Sequence, residues 1–179
     1  KEMKSFLFSL ILFLLLSCVL TKNSTMSIKA NNDITVSGVS SGGSMASQML
    51  VAYSSEINGA GIFAAPPYYC TRGVASEIVD CMTTGLAVFV DQIILAAIGF
   101  EKLGLIDKLS NLLGHRVYMF SGKKDLVVWP NIVKKHEKFF RKLGAEVETE
   151  YSVKAQHSFP TDFFGNRCGK LGSPYINNC

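Results

Sequence analysis

The sequence predicts an α/β fold built on a mostly parallel sheet, and three observations carry that expectation. Short β-leaning runs alternate with segments long enough for helices, the pattern of parallel β-α units. A Gly-x-Ser-x-Gly match, Gly38 to Gly42, lies between the first such run and the first helical segment. The chain has 179 residues, 48% hydrophobic and 18% charged, which excludes a disordered tail and supplies apolar material for a core. No internal repeat divides it, so one folded domain is expected behind a leader.

The leader comes first. Lys1, Glu2, Met3 and Lys4 precede a near-unbroken apolar run from Phe6 to Leu16 that continues to Leu20. A charged start and about 7–15 apolar residues describe a signal peptide, whereas a membrane span needs about 20. Residues 1–22 are therefore read as a signal peptide, leaving no membrane attachment after cleavage, and 23–179 as the folded domain. Leu15-Leu16-Ser17-Cys18 loosely matches a lipoprotein box, although a small residue is usual where Leu16 stands. Asn23-Ser24-Thr25 is a glycosylation sequon, with Asn23 the acceptor.

With Cys18 set aside, Cys70, Cys81, Cys168 and Cys179 remain. Four cysteines permit three pairings, and the economical one closes two local loops, 70–81 and 168–179. Each bond would stabilise the fold by about 3 kcal/mol in the chain-entropy model. A zinc site is the rival reading, but no C-x-x-C or H-x-x-x-H spacing supports it. Leader, sequon and cysteines together point to a secreted protein. Lys plus Arg is 18 against 14 Asp plus Glu, a net charge of +4 that is too small and scattered for a nucleic-acid partner.

The elements follow in order. Asp33 to Ser37 is β-leaning and stops at Gly38. Ser44 to Tyr53 is helical, with Met45, Met49 and Ala52 on one face that is expected to pack on the sheet. Gly59 to Ala65 reads as a buried strand ended by Pro66-Pro67. Leu86 to Phe100 is almost wholly apolar and is read as a buried or lid helix. Arg116 to Phe120 is the next strand. Asn131 to Leu143 is amphipathic, with Ile132, Phe139, Phe140 and Leu143 on one face and Lys134, Lys135, Lys138, Arg141 and Lys142 on the other. That basic stripe reads as a solvated face. Glu146 to Val153 alternates as a final strand.

The chemistry is expected where strands end. Gly38-Val39-Ser40-Ser41-Gly42 matches a nucleophile elbow, in which small flanking residues let the backbone turn tightly and present the Ser40 hydroxyl. The N–H of Ser41, at the head of the next helix, can stabilise an oxyanion. A serine hydroxyl needs a base, and the base needs an orienting acid. His115 and His136 read as structural or surface residues. His157 follows the last strand, and Asp125 follows the Arg116–Phe120 strand, with Asp162 as the reserve acid. The order Ser40, Asp125, His157 is that of α/β-hydrolases. Tyr68, Tyr69 and Trp129 are candidates to line an apolar substrate crevice, with burial in the core the competing role for each. No metal cluster, phosphate-cradling loop or nucleotide motif appears, and this acyl transfer needs no cofactor.

Several stretches resemble secreted poly(3-hydroxybutyrate) depolymerases. They are Val36 to Gly43, Pro67-Tyr68-Tyr69-Cys70, Ser121 to Asp125 with Val127-Val128, His157-Ser158-Phe159-Pro160-Thr161, and Cys168 with Ser173 to Cys179. The resemblance covers roughly residues 33–179. It implies an α/β-hydrolase fold, partial or circularly permuted, and hydrolysis of polyester or short oligoester substrates through an acyl-enzyme on Ser40. In that scheme His157 is general base and then acid, Asp125 orients it, and Ser41 supplies one oxyanion N–H.

Some features depart from the pattern. A second oxyanion donor normally comes from an early strand-to-helix loop, and no such unit precedes Ser40 in this chain. Losing one donor costs on the order of a hundredfold in turnover. With only about four sheet strands, the domain is expected to be incomplete at its C-terminus. The resemblance sets Gly-Gly before Pro-Tyr-Tyr-Cys, where Ala65-Pro66 stands, and a glycine before the histidine, where Gln156 stands. The bulkier Gln156 is expected to narrow the site or shift His157. Rival readings are an esterase for feruloyl or acetyl groups on polysaccharide, and a catalytically silent hydrolase fold kept as a binding module.

Overall fold

The computed structural model describes residues 33–179. The leader, Cys18 and the Asn23 sequon lie outside the described residues. Strands β1 (Ile34–Val39), β2 (Ile57–Phe63), β3 (Arg116–Phe120) and β4 (Glu146–Glu150) form one parallel sheet in the order β1-β2-β3-β4. Parallel neighbours need crossovers, and each connection here contains helix. Helix α1 (Ser41–Ala52) joins β1 to β2, and α4 (Pro130–Lys142) joins β3 to β4. The longer β2–β3 connection holds α2 (Ile78–Met82), α3 (Val90–Lys102) and two 3-10 turns.

The register sorts the two sheet faces by chemistry. Ala60, Val117 and Val147 lie side by side, as do Ile62 and Met119, and all belong to or pack on the core. The alternate positions bring Thr35 beside Gly59, Arg116 and Glu146, and Ser37 beside Gly61, Tyr118 and Glu148. Helices α1 and α4 share the apolar side, because buried His136 of α4 bonds buried Ser47 of α1.

Helix α4 starts with Pro130, whose missing N–H is no loss in a first turn, and has Arg141 and Lys142 in its last turn, where cations favour the dipole. It buries Ile132, Val133, His136, Phe139 and Phe140. His136 is therefore a core residue. Its spacing of four from both Ile132 and Phe140 puts it on the apolar face, whereas its neighbour Lys135 points elsewhere.

Helix α1 corrects one expectation. Its buried residues are Gly43, Ala46, Ser47, Leu50 and Val51, while Met45 is 61% and Met49 37% exposed. Small residues at that spacing let the helix lie close to the strands, and the methionines face outward. Helix α3 is likewise one-sided, burying Val90, Ile93 and Ala97 while Leu95 stays exposed.

The disulfides are Cys70–Cys81 and Cys168–Cys179, each spanning 11 positions, so both loops are local. The second closes a small sheet that the sequence reading lacks: β5 (Phe159–Thr161), β6 (Asn166–Arg167) and β7 (Ile176–Asn178), in the order β5-β7-β6. No helix among the described residues is long and apolar enough to cross a membrane.

Candidate active site

Ser40 stands between β1 and α1 with φ 56° and ψ −120°, a backbone conformation that L-residues rarely adopt. Its surroundings hold it there. The Ser40 N–H donates to Phe63 C=O at 2.9 Å, and its own C=O accepts the Ser44 N–H at 2.9 Å. Gly38 and Gly43 permit the close approach, since a Cβ on either would come within 3.0 Å of neighbouring atoms. No side chain caps α1, so the first N–H groups of the helix, Ser41 included, are not bonded by a capping residue.

Asp125 and His157 come together at the same end of the sheet, and both are buried. His157 Nδ1 lies 2.9 Å from Asp125 Oδ2. The other carboxylate oxygen, Oδ1, accepts the N–H groups of Val127 and Val128, each at 2.9 Å. A carboxylate occupied in this way holds the proton of the imidazole on Nδ1 and leaves Nε2 as the acceptor. Asp162, the reserve acid, makes no such bond.

His157 and Ser40 line one cavity of about 430 Å³, together with Val39, Val127, Leu171 and Tyr175. On its other side Ser40 borders a second, more apolar cavity of about 300 Å³, whose walls include Ser41, Met45, Ile78, Met82 and Val128. The serine thus stands where two spaces meet. The Ser40 hydroxyl and the imidazole make no direct hydrogen bond, and such bonds often tighten only with substrate present.

Other expected residues fall elsewhere. Tyr68 is 3% exposed and stacks on Phe139 with ring centroids 5.5 Å apart, so it is core and not crevice wall. Tyr69 packs edge-on against Phe100 at 4.9 Å. Trp129 is 39% exposed at the start of α4, and neither it nor the two tyrosines line a cavity at Ser40. Gln156 does not narrow the cavity; its side chain turns to the acid loop and accepts the Leu126 N–H at 3.3 Å. Leu171 and Tyr175 went unread as wall residues. Tyr175 lies within one of the recognised motifs, whereas nothing in the sequence marks Leu171.

A second serine–histidine pair invites comparison. Ser47 Oγ lies 2.8 Å from His136 Nε2, with His136 Nδ1 3.2 Å from Ala65 C=O. Both residues are fully buried and no carboxylate backs the imidazole, so this pair is a core bridge. Burial pushes His136 down to about 4. Among the described residues, no group of three His, Cys, Asp or Glu could hold a metal ion.

A parallel sheet with a strained serine between strand and helix, and a carboxylate–imidazole pair at later strand ends, defines the α/β-hydrolase class of fold. Comparison with known proteins then specifies the relationship: the chain is a homologue of poly(3-hydroxybutyrate) depolymerases. It is 35% identical to such an enzyme from Delftia acidovorans over 149 residues, covering 81% of this chain and 30% of the relative. It is 36% identical over 154 residues to a polyhydroxybutyrate depolymerase from Talaromyces funiculosus, covering 83% of this chain and 44% of that one. A solved depolymerase, a serine-to-alanine variant complexed with R3HB trimer, superposes with a TM-score of 0.73 at 36% identity, over 83% of this chain and 47% of that one. The chain therefore spans less than half the length of each. No protein-family model matches it.

Proposed function

We propose that residues 23–179 carry the catalytic machinery of a secreted serine esterase acting on poly(3-hydroxybutyrate) or short 3-hydroxyalkanoate oligomers. One observation carries this reading: a strained serine and a carboxylate-backed imidazole open on the same cavity. The depolymerase names of the relatives, and the R3HB trimer held by one of them, support the substrate class. Two disulfides suit an oxidising compartment, and the leader and Asn23 sequon fit secretion.

In this scheme the Ser40 hydroxyl attacks the ester carbonyl while His157 Nε2 takes its proton. Asp125 steadies the imidazolium through Nδ1. The oxyanion of the tetrahedral intermediate accepts the Ser41 N–H. The C–O bond then breaks, and His157 gives its proton to the departing alcohol, leaving the acyl group on Ser40. Water attacks the acyl carbon and passes a proton to His157. The acid leaves as that proton returns to Ser40 Oγ. Two cavities meeting at Ser40 give room for the acid and alcohol halves of one ester.

A fluorophosphonate probe tests this directly. Folded protein is expected to label at Ser40, located by mass spectrometry, and His157→Ala is expected to abolish labelling. Protein not treated with the probe should release 3-hydroxybutyrate from oligomers faster than ferulate or acetate from their esters, and labelling should stop that release. If folded protein does not label, yet binds polymer equally well with Ser40→Ala, a binding module is the better reading.

A further inference from the structure

Asp125 and His157 lie on loops that follow different strands, and a ladder of bonds joins the two loops. The Lys123 N–H donates to Val153 C=O at 2.8 Å and the Lys124 N–H to Ala155 C=O at 3.0 Å. Beyond Lys124 the backbone of the acid loop finds partners elsewhere. The Asp125 N–H donates to Gly122 C=O at 3.0 Å, and the Trp129 N–H to Met82 C=O at 2.8 Å. Val127 and Val128 donate to the Asp125 carboxylate itself. Within this turn the Leu126 N–H is the donor left over, and the Gln156 side-chain carbonyl accepts it at 3.3 Å.

Gln156 is well placed to make this bond matter. It immediately precedes His157, as Leu126 immediately follows Asp125. Its backbone is anchored on the far side: its N–H donates to Cys168 C=O at 3.1 Å, and its C=O accepts the buried Ser158 hydroxyl at 3.1 Å. The Cys168 carbonyl in turn accepts Asn177 Nδ2 at 2.9 Å. A donor opposite the amide settles which of its ends faces Leu126. The glycine that the depolymerase resemblance sets at this position has no side chain to reach across.

We propose that Gln156 is a positioning residue that extends the ladder one rung past Ala155 and holds the turn aiming Asp125 at His157. It lines neither cavity at Ser40, so it acts through those two side chains. This inference rests on the assignment of Ser40, Asp125 and His157 made above.

The test compares Gln156→Leu, which removes the acceptor, with Gln156→Glu, which keeps one at the same reach. Probe labelling of Ser40 and kcat on a soluble 3-hydroxybutyrate dimer are expected to fall about tenfold in Gln156→Leu, with KM within about twofold. Gln156→Glu should stay within about threefold of the unsubstituted protein. Amide hydrogen exchange at Leu126 should be slow in the unsubstituted protein and in Gln156→Glu and fast in Gln156→Leu. Unprotected Leu126 in the unsubstituted protein overturns the proposal whatever the variants do. So does equal labelling in all three, or an equal loss in both variants. If the unsubstituted protein does not label at all, the esterase reading itself falls and takes this inference with it.

Discussion

A Cβ built on Gly38 would come closer than 3.0 Å to the Gly42 carbonyl and the Gly43 nitrogen, and one on Gly43 would lie 2.8 Å from the Ala65 Cβ. One on Gly42 would meet nothing within 4 Å. The Gly-x-Ser-x-Gly pattern marks Gly38 and Gly42, yet the crowding falls on Gly38 and Gly43. Gly38→Ala would press on backbone that cannot rotate away, so it is expected to cost about 1–3 kcal/mol or more and to slow probe labelling of Ser40. Gly42→Ala places alanine inside helix α1 with open space around it, and it is expected to hold stability or raise it by about 0.5–1 kcal/mol. Urea unfolding of the two variants checks the contrast, and equal losses would contradict the packing account. At this scale the sequence was informative about residue type. The nucleophile, acid and base candidates were legible because each follows a strand. The wall residues Leu171 and Tyr175 were not, because a cavity wall has no spacing rule.

Elements were legible where their period was strong. The strand at Arg116–Phe120 matches its expected bounds, and α4 runs Pro130–Lys142 where a helix over Asn131–Leu143 was expected. Helix α1 was placed but turned the wrong way. Its buried face is made of Gly, Ala and Ser as much as Leu and Val, and hydrophobicity alone favours the methionines. What joins α1 to α4 is polar: Ser47 bonds His136, whose other nitrogen bonds Ala65 C=O just after β2. Because the folded protein holds His136 down to about 4 from an ordinary 6.5, the unfolded chain binds more protons between those values. Stability from this group is therefore full above about pH 6.5 and is lost as pH falls toward 4, by up to about 3 kcal/mol. The carboxylates held low by hydrogen bonds, Asp80, Asp91 and Asp107, lose their contribution at lower pH. Urea unfolding between pH 7 and 4.5 should show the slope, and His136→Gln should flatten it while lowering stability at pH 7. An unchanged slope in that variant would assign the pH dependence to other groups.

Across the whole molecule, the candidate site draws on both ends of the described chain: Ser40 from the first strand–helix junction, and Leu171 and Tyr175 from the last segment. That last segment was the least legible part of the fold. Its strands are two or three residues long, too short for any alternation, and its order β5-β7-β6 follows no local rule. Side chains hold it together. Asn177 Nδ2 donates to the carbonyls of Cys168 and Lys170, Asn166 Nδ2 to those of Gly172 and Ser173, and Cys168–Cys179 closes the loop. Replacing Cys168 and Cys179 with serine is expected to cost about 3 kcal/mol, much as replacing Cys70 and Cys81 would, since the loops are equal in length. The consequences at the site should differ. Without the Cys168–Cys179 bond, the loop carrying Leu171 and Tyr175 loses a tether, while His157 keeps Asp125 and the backbone bonds to the acid loop that Val153 and Ala155 accept. Under the proposed function a 3-hydroxybutyrate trimer would rest on the cavity wall, whereas a small fluorophosphonate would need only the reacting groups. KM for the trimer should therefore rise in that variant while labelling of Ser40 stays close to the unsubstituted rate. If labelling and trimer use fell together, the small sheet would be supporting His157 itself and not merely the wall beside it.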